Sequence, residues 1–154
     1  MKNLLLTILA TLTLISCERV KQKSADLSDK VLAKFDPIHP DTRFNKKRFI
    51  EFFGFSPTQD VRELYCYSDR LGIDASYYFS FKCHERTVHR IKEALKLTND
   101  STSSGLNGFD LKYSWWDNDR IDTIKPLTRQ DGSVYWYLWY DKENEKVYFL
   151  TFDT

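Results

Sequence analysis

The closing segment of the chain constrains its fold most strongly. Residues 134–140 and 146–152 are both dense in aromatic and β-branched residues, and the polar residues 141–145 separate them. Two such runs joined by a short polar turn are typical of a β-hairpin. If Tyr140 pairs with Val147, both faces of this hairpin are apolar. That pattern predicts strands covered on both sides, or one face left open for a partner.

A second strand pair is predicted earlier in the chain. Residues 75–83 alternate, and one face of this segment carries Ala75, Tyr77, Phe79, Phe81 and Cys83. A period of two with the apolar residues on one side is typical of a half-buried strand. Residues 61–67 are also β-like, and the turn signal at residues 68–72 predicts that the two segments form a hairpin.

Two segments have the spacing of amphipathic helices. The first lies at residues 42–53, where Asp41 or Thr42 is placed to cap the helix and Gly54 to end it. The second lies at residues 84–97, where apolar side chains recur at helical spacing. The apolar stripe of this second helix consists of Val88, Ile91 and Leu95.

The order of these elements predicts an α+β domain. Residues 111–116 are expected to add a further strand, whereas residues 117–129 show no clear pattern. Short turns between the clearest strand pairs favour antiparallel pairing. We therefore expect a single α+β domain at residues 41–154, with an antiparallel sheet of four or five strands and helices packed on at least one face.

The first residues of the chain indicate where the protein is delivered. Residues 4–15 are almost wholly apolar, too short to cross a membrane and typical of a signal peptide. They are followed by Ser16 and Cys17, and the sequence Leu14-Ile15-Ser16-Cys17 resembles the lipobox of bacterial lipoproteins. The resemblance implies a signal peptide at residues 1–16 that is removed, lipidation of Cys17 and anchoring in the cell envelope, facing the periplasm or the outer surface.

The charge balance narrows the range of partners. The signal segment holds one charged residue, Lys2, so the rest of the chain carries 22 basic and 22 acidic side chains. Nucleic-acid binding depends on neutralising phosphates, and a balanced chain gives no support for it. No polybasic patch is visible either, so membrane attachment is expected to come from acyl chains on Cys17, with residues 17–40 as the tether.

Two further cysteines, Cys66 and Cys83, follow the lipidation residue. An envelope compartment can be oxidising, so a disulfide between them stays open. In the predicted hairpin, however, Cys66 lies near the turn and Cys83 at the far end of its strand. This placement favours two buried thiols.

Motifs for metal binding or catalysis are weak. His84 and His89 are five residues apart and do not share a helix face, and no His-Glu-x-x-His or Gly-x-Ser-x-Gly motif occurs. The acidic run that includes Asp122 fails the calcium-loop pattern, which needs glycine at the position of Asp122. The sequence therefore predicts neither cofactor nor metal, while a hydrolase with an unrecognised site stays open.

The excess of aromatic residues suggests a binding surface. Aromatic residues make up 16% of the chain, more than one face of a small sheet is expected to hide. Exposed Trp and Tyr are efficient anchors in protein interfaces and stack well on sugar rings. The residues predicted to form a binding site are Trp115, Trp116, Asp117, Asp119 and Trp139.

The sequence therefore leaves three functions open for the mature domain. The first is non-catalytic binding of another envelope protein, since small lipid-tethered domains without catalytic motifs resemble, in general layout, immunity lipoproteins that neutralise periplasmic toxins. The second is a glycan- or peptidoglycan-binding module that uses the same aromatic rings. The third is a hydrolase, which would need a concave site with a titratable group of displaced pKa.

Overall fold

The computed structural model describes residues 34–69, 75–99 and 111–154, and these form three helices and one five-stranded antiparallel sheet. In chain order the elements are α1 (Arg43–Phe53), β1 (Arg62–Asp69), β2 (Ser76–Lys82), α2 (Glu85–Leu95), α3 (Asn118–Asp122), β3 (Leu127–Asp131), β4 (Val134–Asp141) and β5 (Lys146–Asp153). The strands lie in the order β1-β2-β5-β4-β3. The predicted α+β class and the antiparallel sheet are confirmed.

The compact unit that carries the sheet runs from Phe35 to Thr154. Residues 35–40, which the sequence assigned to the tether, belong to this unit. Phe35 packs against one core of the sheet, and the carbonyl oxygen of Pro37 accepts a hydrogen bond from the indole N–H of Trp115 at 2.8 Å. The predicted signal peptide, Cys17 and most of the predicted tether lie outside the described residues.

Helix α1 begins and ends where the sequence predicts. The hydroxyl oxygen of Thr42 accepts a hydrogen bond from the backbone N–H of Asn45, which would otherwise have no partner at the start of the helix. Gly54 ends the helix in the left-handed region, with φ of 77°, where a side chain would be strained. The intervening turns bury Phe49 and Phe53.

Strands β1 and β2 form the predicted antiparallel pair, and residues 70–74 of the connection lie outside the described residues. Cys66 lies opposite Phe79, and Phe79 comes four residues before Cys83. The backbone positions of the two cysteines are therefore about 13 Å apart along the strands. Both cysteines are buried and free, as the placement favoured. Burial raises the pKa of each thiol to about 12, which leaves both unreactive at neutral pH.

The closing hairpin has the predicted register, with Tyr140 opposite Val147. Alternation therefore sends Leu138 and Trp139 to opposite faces of β4. Both faces are covered, so the first of the two predicted outcomes for this hairpin holds.

One face of the sheet packs against α1 and α2. This helix-side core comprises Phe49, Phe53, Leu64, Cys66, Phe79, Phe81, Cys83, Val88, Ile91, Leu97, Leu138, Val147 and Phe149. Helix α2 supplies its predicted stripe, with Leu95 at the margin of the core. Phe49 and Phe53 of α1 meet rings of the sheet edge-on, with the centroids of Phe53 and Phe149 4.9 Å apart. Such edge-to-face contacts add to the stabilisation that comes from burial itself.

The other face carries a second layer, the aromatic core, which comprises Tyr78, Trp115, Trp116, Ile121, Tyr137, Trp139, Tyr148 and Leu150. Residues 111–124, including α3, supply part of this core. The prediction of a strand at residues 111–116 is wrong: the N–H of Trp116 donates to the carbonyl of Tyr113 at 3.0 Å and closes a turn. In a strand, neighbouring side chains would point to opposite faces, whereas the turn lets Trp115 and Trp116 enter the same core.

Candidate functional site

The tryptophans that the sequence predicted as binding anchors are buried. Trp115, Trp116 and Trp139 are 6%, 5% and 2% exposed. Trp116 packs edge-on against Trp139 and Tyr148, with ring centroids 6.3 and 5.6 Å apart. The expectation that these rings form an open surface is therefore wrong, because the turn that carries Trp115 and Trp116 folds onto the sheet and buries them with Trp139.

The two predicted acidic binding residues lie at the surface instead. Asp117 caps α3, because its carboxylate accepts a hydrogen bond from the backbone N–H of Arg120 at 2.9 Å. Asp119 is exposed in the first turn of α3, where a negative charge is favourable. Capping accounts for Asp117 without a ligand, and binding through either aspartate stays a prediction.

An ion pair that sequence reasoning did not find joins α3 to the β4–β5 turn. The guanidinium of Arg120 donates two hydrogen bonds to the carboxylate of Asp141, at 2.8 and 2.7 Å. A further bond of 2.6 Å reaches Glu143, and the side-chain amide of Asn144 donates to Asp141 at 2.7 Å. Every acceptor oxygen of Asp141 is therefore used within the chain.

The environment of Asp141 identifies this pair as a structural clamp. The Arg120 guanidinium holds the pKa of the Asp141 carboxyl far below its usual range, and the Asn144 amide acts in the same direction. Asp141 is 2% exposed, so water has little access to its carboxylate. The pair holds α3 against the sheet, which keeps the aromatic core covered.

A cavity of about 190 Å³ opens where β2 ends and β5 begins. We call it the lysine cavity. Its lining includes Glu63, Tyr65, Ser80, Lys82, Trp115 and Lys146. Lys82 and Lys146 are direct cross-strand neighbours, and like charges in that position destabilise a sheet. Of the predicted binding residues, only Trp115 lines this cavity, where its ring stacks on Tyr65 at 5.6 Å.

A bulge in β1 brings a carboxylate to the lysine cavity. The pairing of β1 with β2 shifts between Arg62 and Tyr65, and Glu63 adopts a φ of 53°. The carboxylate of Asp41 holds the bulge by accepting hydrogen bonds from the backbone N–H groups of Glu63 and Leu64, both at 3.1 Å. The Glu63 carboxylate then accepts from the Lys82 ammonium at 2.7 Å. Bulges and positive φ values are common beside functional sites.

A second concave surface, the α2 groove, lies between α2 and the β3–β4 side of the sheet and encloses about 260 Å³. Its apolar floor consists of Val88, Leu127 and Leu138, and its charged lining residues are Lys92, Lys125, Lys142 and Glu85. Lys142 pairs with Glu85 at 2.7 Å. Lys92 and Lys125 make no ion pair with any residue that the structure describes.

Neither a metal cluster nor a membrane-spanning helix is present within residues 34–69, 75–99 and 111–154. No three of their His, Cys, Asp or Glu side chains are grouped to hold a metal ion. No helix among these residues has the length and apolar character needed to span a bilayer.

Comparison with known proteins gives no match. No protein-family model matches the chain, no curated protein matches it, and no solved structure matches its fold. Function therefore has to be inferred from the residues and geometry of this chain.

The clamp predicts a specific loss of stability. We expect Asp141→Asn to lower the free energy of unfolding at neutral pH by about 2 kcal/mol, because charged hydrogen bonds are lost. Since the folded protein lowers the pKa of Asp141 below its usual 3.8, this contribution is present above that pH and is lost as the pH falls through the folded value. Urea unfolding should therefore show the difference between wild type and variant shrinking below about pH 4.

The control for this experiment is Glu143→Gln. The Glu143 side chain is 80% exposed, so its ion pair with Arg120 should contribute less than about 1 kcal/mol. Equal losses in the two variants, or a difference that does not change with pH, would contradict the role assigned to Asp141.

Proposed function

We propose that the chain is a lipid-anchored protein of the bacterial envelope that acts by binding another protein, without catalysis. The anchor is supported by the apolar residues 4–15 and by Leu14-Ile15-Ser16-Cys17, which resembles a lipobox. Acyl chains on Cys17 would hold the compact unit, which begins at Phe35, at the membrane surface. An immunity-like inhibitor of a periplasmic toxin would act in this way.

The observation that carries the binding role is the α2 groove. An apolar floor beside three lysines, one of which pairs with Glu85, combines the two features that a protein partner needs, namely a pocket for an apolar anchor and charges that orient it. Val88 is 6% exposed and Leu138 is 1% exposed, so the floor is fixed by the helix-side core behind it. A fixed floor lowers the entropic cost of binding.

The chemistry of the groove selects the kind of partner. Lys92 and Lys125 have no ion pair among the described residues, so their charges are available to carboxylates on a partner. We infer that the partner presents an apolar side chain flanked by Asp or Glu residues. The glycan alternative loses its main support, because the tryptophans on which it depended are buried.

The lipid anchor is tested by Cys17→Ser. Serine lacks the thiol that receives the lipid, so we expect no incorporation of labelled fatty acid and a shift from the detergent phase to the aqueous phase. Wild-type protein expressed alongside serves as the control. Label retained in the Cys17→Ser chain would contradict lipidation at this residue.

The binding role is tested by reversing the charge of the groove. The full chain with a C-terminal tag is expressed in its own host, crosslinked mildly, and its partners are identified by mass spectrometry. We expect one partner that is captured by wild type and lost in the double variant Lys92→Glu, Lys125→Glu. The purified pair should then bind in calorimetry with an affinity that falls with added salt, since the contact is between opposite charges.

A matched control changes the same charge elsewhere. Lys46→Glu with Lys112→Glu alters two exposed lysines that do not line the groove, so it should retain the partner. A partner that survives the groove variant, or one that both variants lose equally, would contradict binding through the α2 groove. Capture of no partner by wild type would contradict the proposed function itself.

A further inference from the structure

The lysine cavity has more positive charge than its own residues neutralise. Lys82 and Lys146 both line the cavity and lie opposite each other on β2 and β5. Within the described residues Glu63 is the one carboxylate that forms an ion pair with either lysine. Placing two ammonium groups side by side is unfavourable unless an anion lies between them.

The side chain of Lys146 is partly shielded from solvent. Its ammonium lies 5.0 Å from the centroid of the Tyr148 ring, and its side chain is half-buried. Burial lowers its pKa, Lys82 lowers it further, and the carboxylates of Asp117, Glu63 and Asp141 act in the opposite direction. A desolvated ammonium binds an anion more strongly than one in water, because the local dielectric constant is lower.

Ser80 supplies a second, independent observation. It is 1% exposed, lines the cavity, and its hydroxyl oxygen has no hydrogen-bond partner among the residues that the structure describes. Buried hydroxyl groups in folded proteins nearly always have a partner. Ser80 and Lys82 are two residues apart on β2 and therefore share a face of the strand. The unused donor and the two ammonium groups thus meet at the same cavity.

Glu63 indicates what kind of group the cavity accepts. Its carboxylate already lies 2.7 Å from the Lys82 ammonium, held there by the bulge that Asp41 stabilises. Its side chain is 52% exposed, so it has room to swing into solvent. An incoming anion would replace this carboxylate at Lys82 and add contacts to Lys146 and Ser80.

We propose that the lysine cavity binds a small oxyanion, a carboxylate or phosphate group, between Lys82 and Lys146, with the Ser80 hydroxyl as a further donor. The cavity volume of about 190 Å³ is equivalent to about six water molecules, enough for the anionic group and a few attached atoms. The stacked rings of Tyr65 and Trp115 form an adjacent wall against which an attached apolar group would pack. This proposal does not depend on the α2 groove or on a protein partner.

The probes are inorganic phosphate and acetate, each titrated into the full chain in mild detergent, with sodium chloride at equal ionic strength as the reference. Binding is followed by NMR shifts of the Ser80, Lys82 and Lys146 amides and by Trp fluorescence. We expect saturable changes with at least one of the two anions. The anion that binds more tightly identifies the ligand as a phosphate or a carboxylate.

Three variants distinguish binding from a structural role. Lys146→Met should weaken binding at least about tenfold, and Ser80→Ala about fivefold, because each removes a donor to the anion. Glu63→Gln should strengthen binding about threefold, because it removes the competing carboxylate. Ser80→Ala should also unfold at the same temperature as wild type or higher when no anion is present, since it removes an unpaired buried hydroxyl.

Lys46→Met, an exposed change outside the cavity, is the control and should leave binding unchanged. Circular dichroism confirms that each variant is folded before titration. The proposal is overturned if wild type binds neither anion, if Lys146→Met binds as tightly as wild type, or if Glu63→Gln binds more weakly.

Discussion

Burial of the sheet on both faces is the constraint on which the rest of the structure depends. Strand β5 lies between β2 and β4, and its side chains alternate between the two cores. Val147 and Phe149 enter the helix-side core, whereas Tyr148 and Leu150 enter the aromatic core. A sheet of this kind needs a cover on each side. Helices α1 and α2 cover one side, and residues 111–124 help to cover the other.

This constraint explains the surplus of aromatic residues. Two cores in one small domain have more interior surface than one, and large rings fill it with few residues. The rings are therefore used for stability, and the Arg120–Asp141 clamp holds the thinner cover in place. The lysine cavity and the α2 groove, to which we assign binding roles, lie at the margins of the cores.

The sequence predicts the central hairpins and both long helices because their signals are local. The register of Tyr140 with Val147 follows from a period of two, and Gly54 ends α1 through its own backbone preference. The half-buried strand expected at residues 75–83 is instead buried on both faces, since Tyr78 and Ser80 are 5% and 1% exposed. The two-sided burial of β4 and β5 was one of two outcomes that the apolar pattern left open. The structure selects it because a covering segment is present on each face.

The turn at residues 111–116 could not be predicted in this way. Neighbouring bulky residues such as Trp115 and Trp116 fit a two-sided strand as well as a turn, and only packing against the sheet decides between them. The exposure expected for both rings followed instead from the aromatic surplus, because that expectation assumed a sheet with one covered face.

The lysine cavity could not be predicted from the sequence for a related reason. Lys82 and Lys146 are distant in sequence and meet through strand register, while Glu63 reaches them through a bulge that the Asp41 carboxylate holds. No motif marks these residues, because each belongs to a different strand. A signal was nevertheless present: once the hairpins are aligned, two lysines face each other across β2 and β5.

The measurement that tests two-sided burial most directly is acrylamide quenching of Trp fluorescence in a Trp136→Phe variant. Trp136 is half-buried, so its removal leaves Trp115, Trp116 and Trp139, all buried in the aromatic core. The structure predicts emission at short wavelength and weak quenching that becomes strong only on unfolding in urea. Emission at the wavelength of exposed tryptophan, with strong quenching in the native protein, would contradict the covered aromatic core. It would indicate that these rings are exposed to solvent.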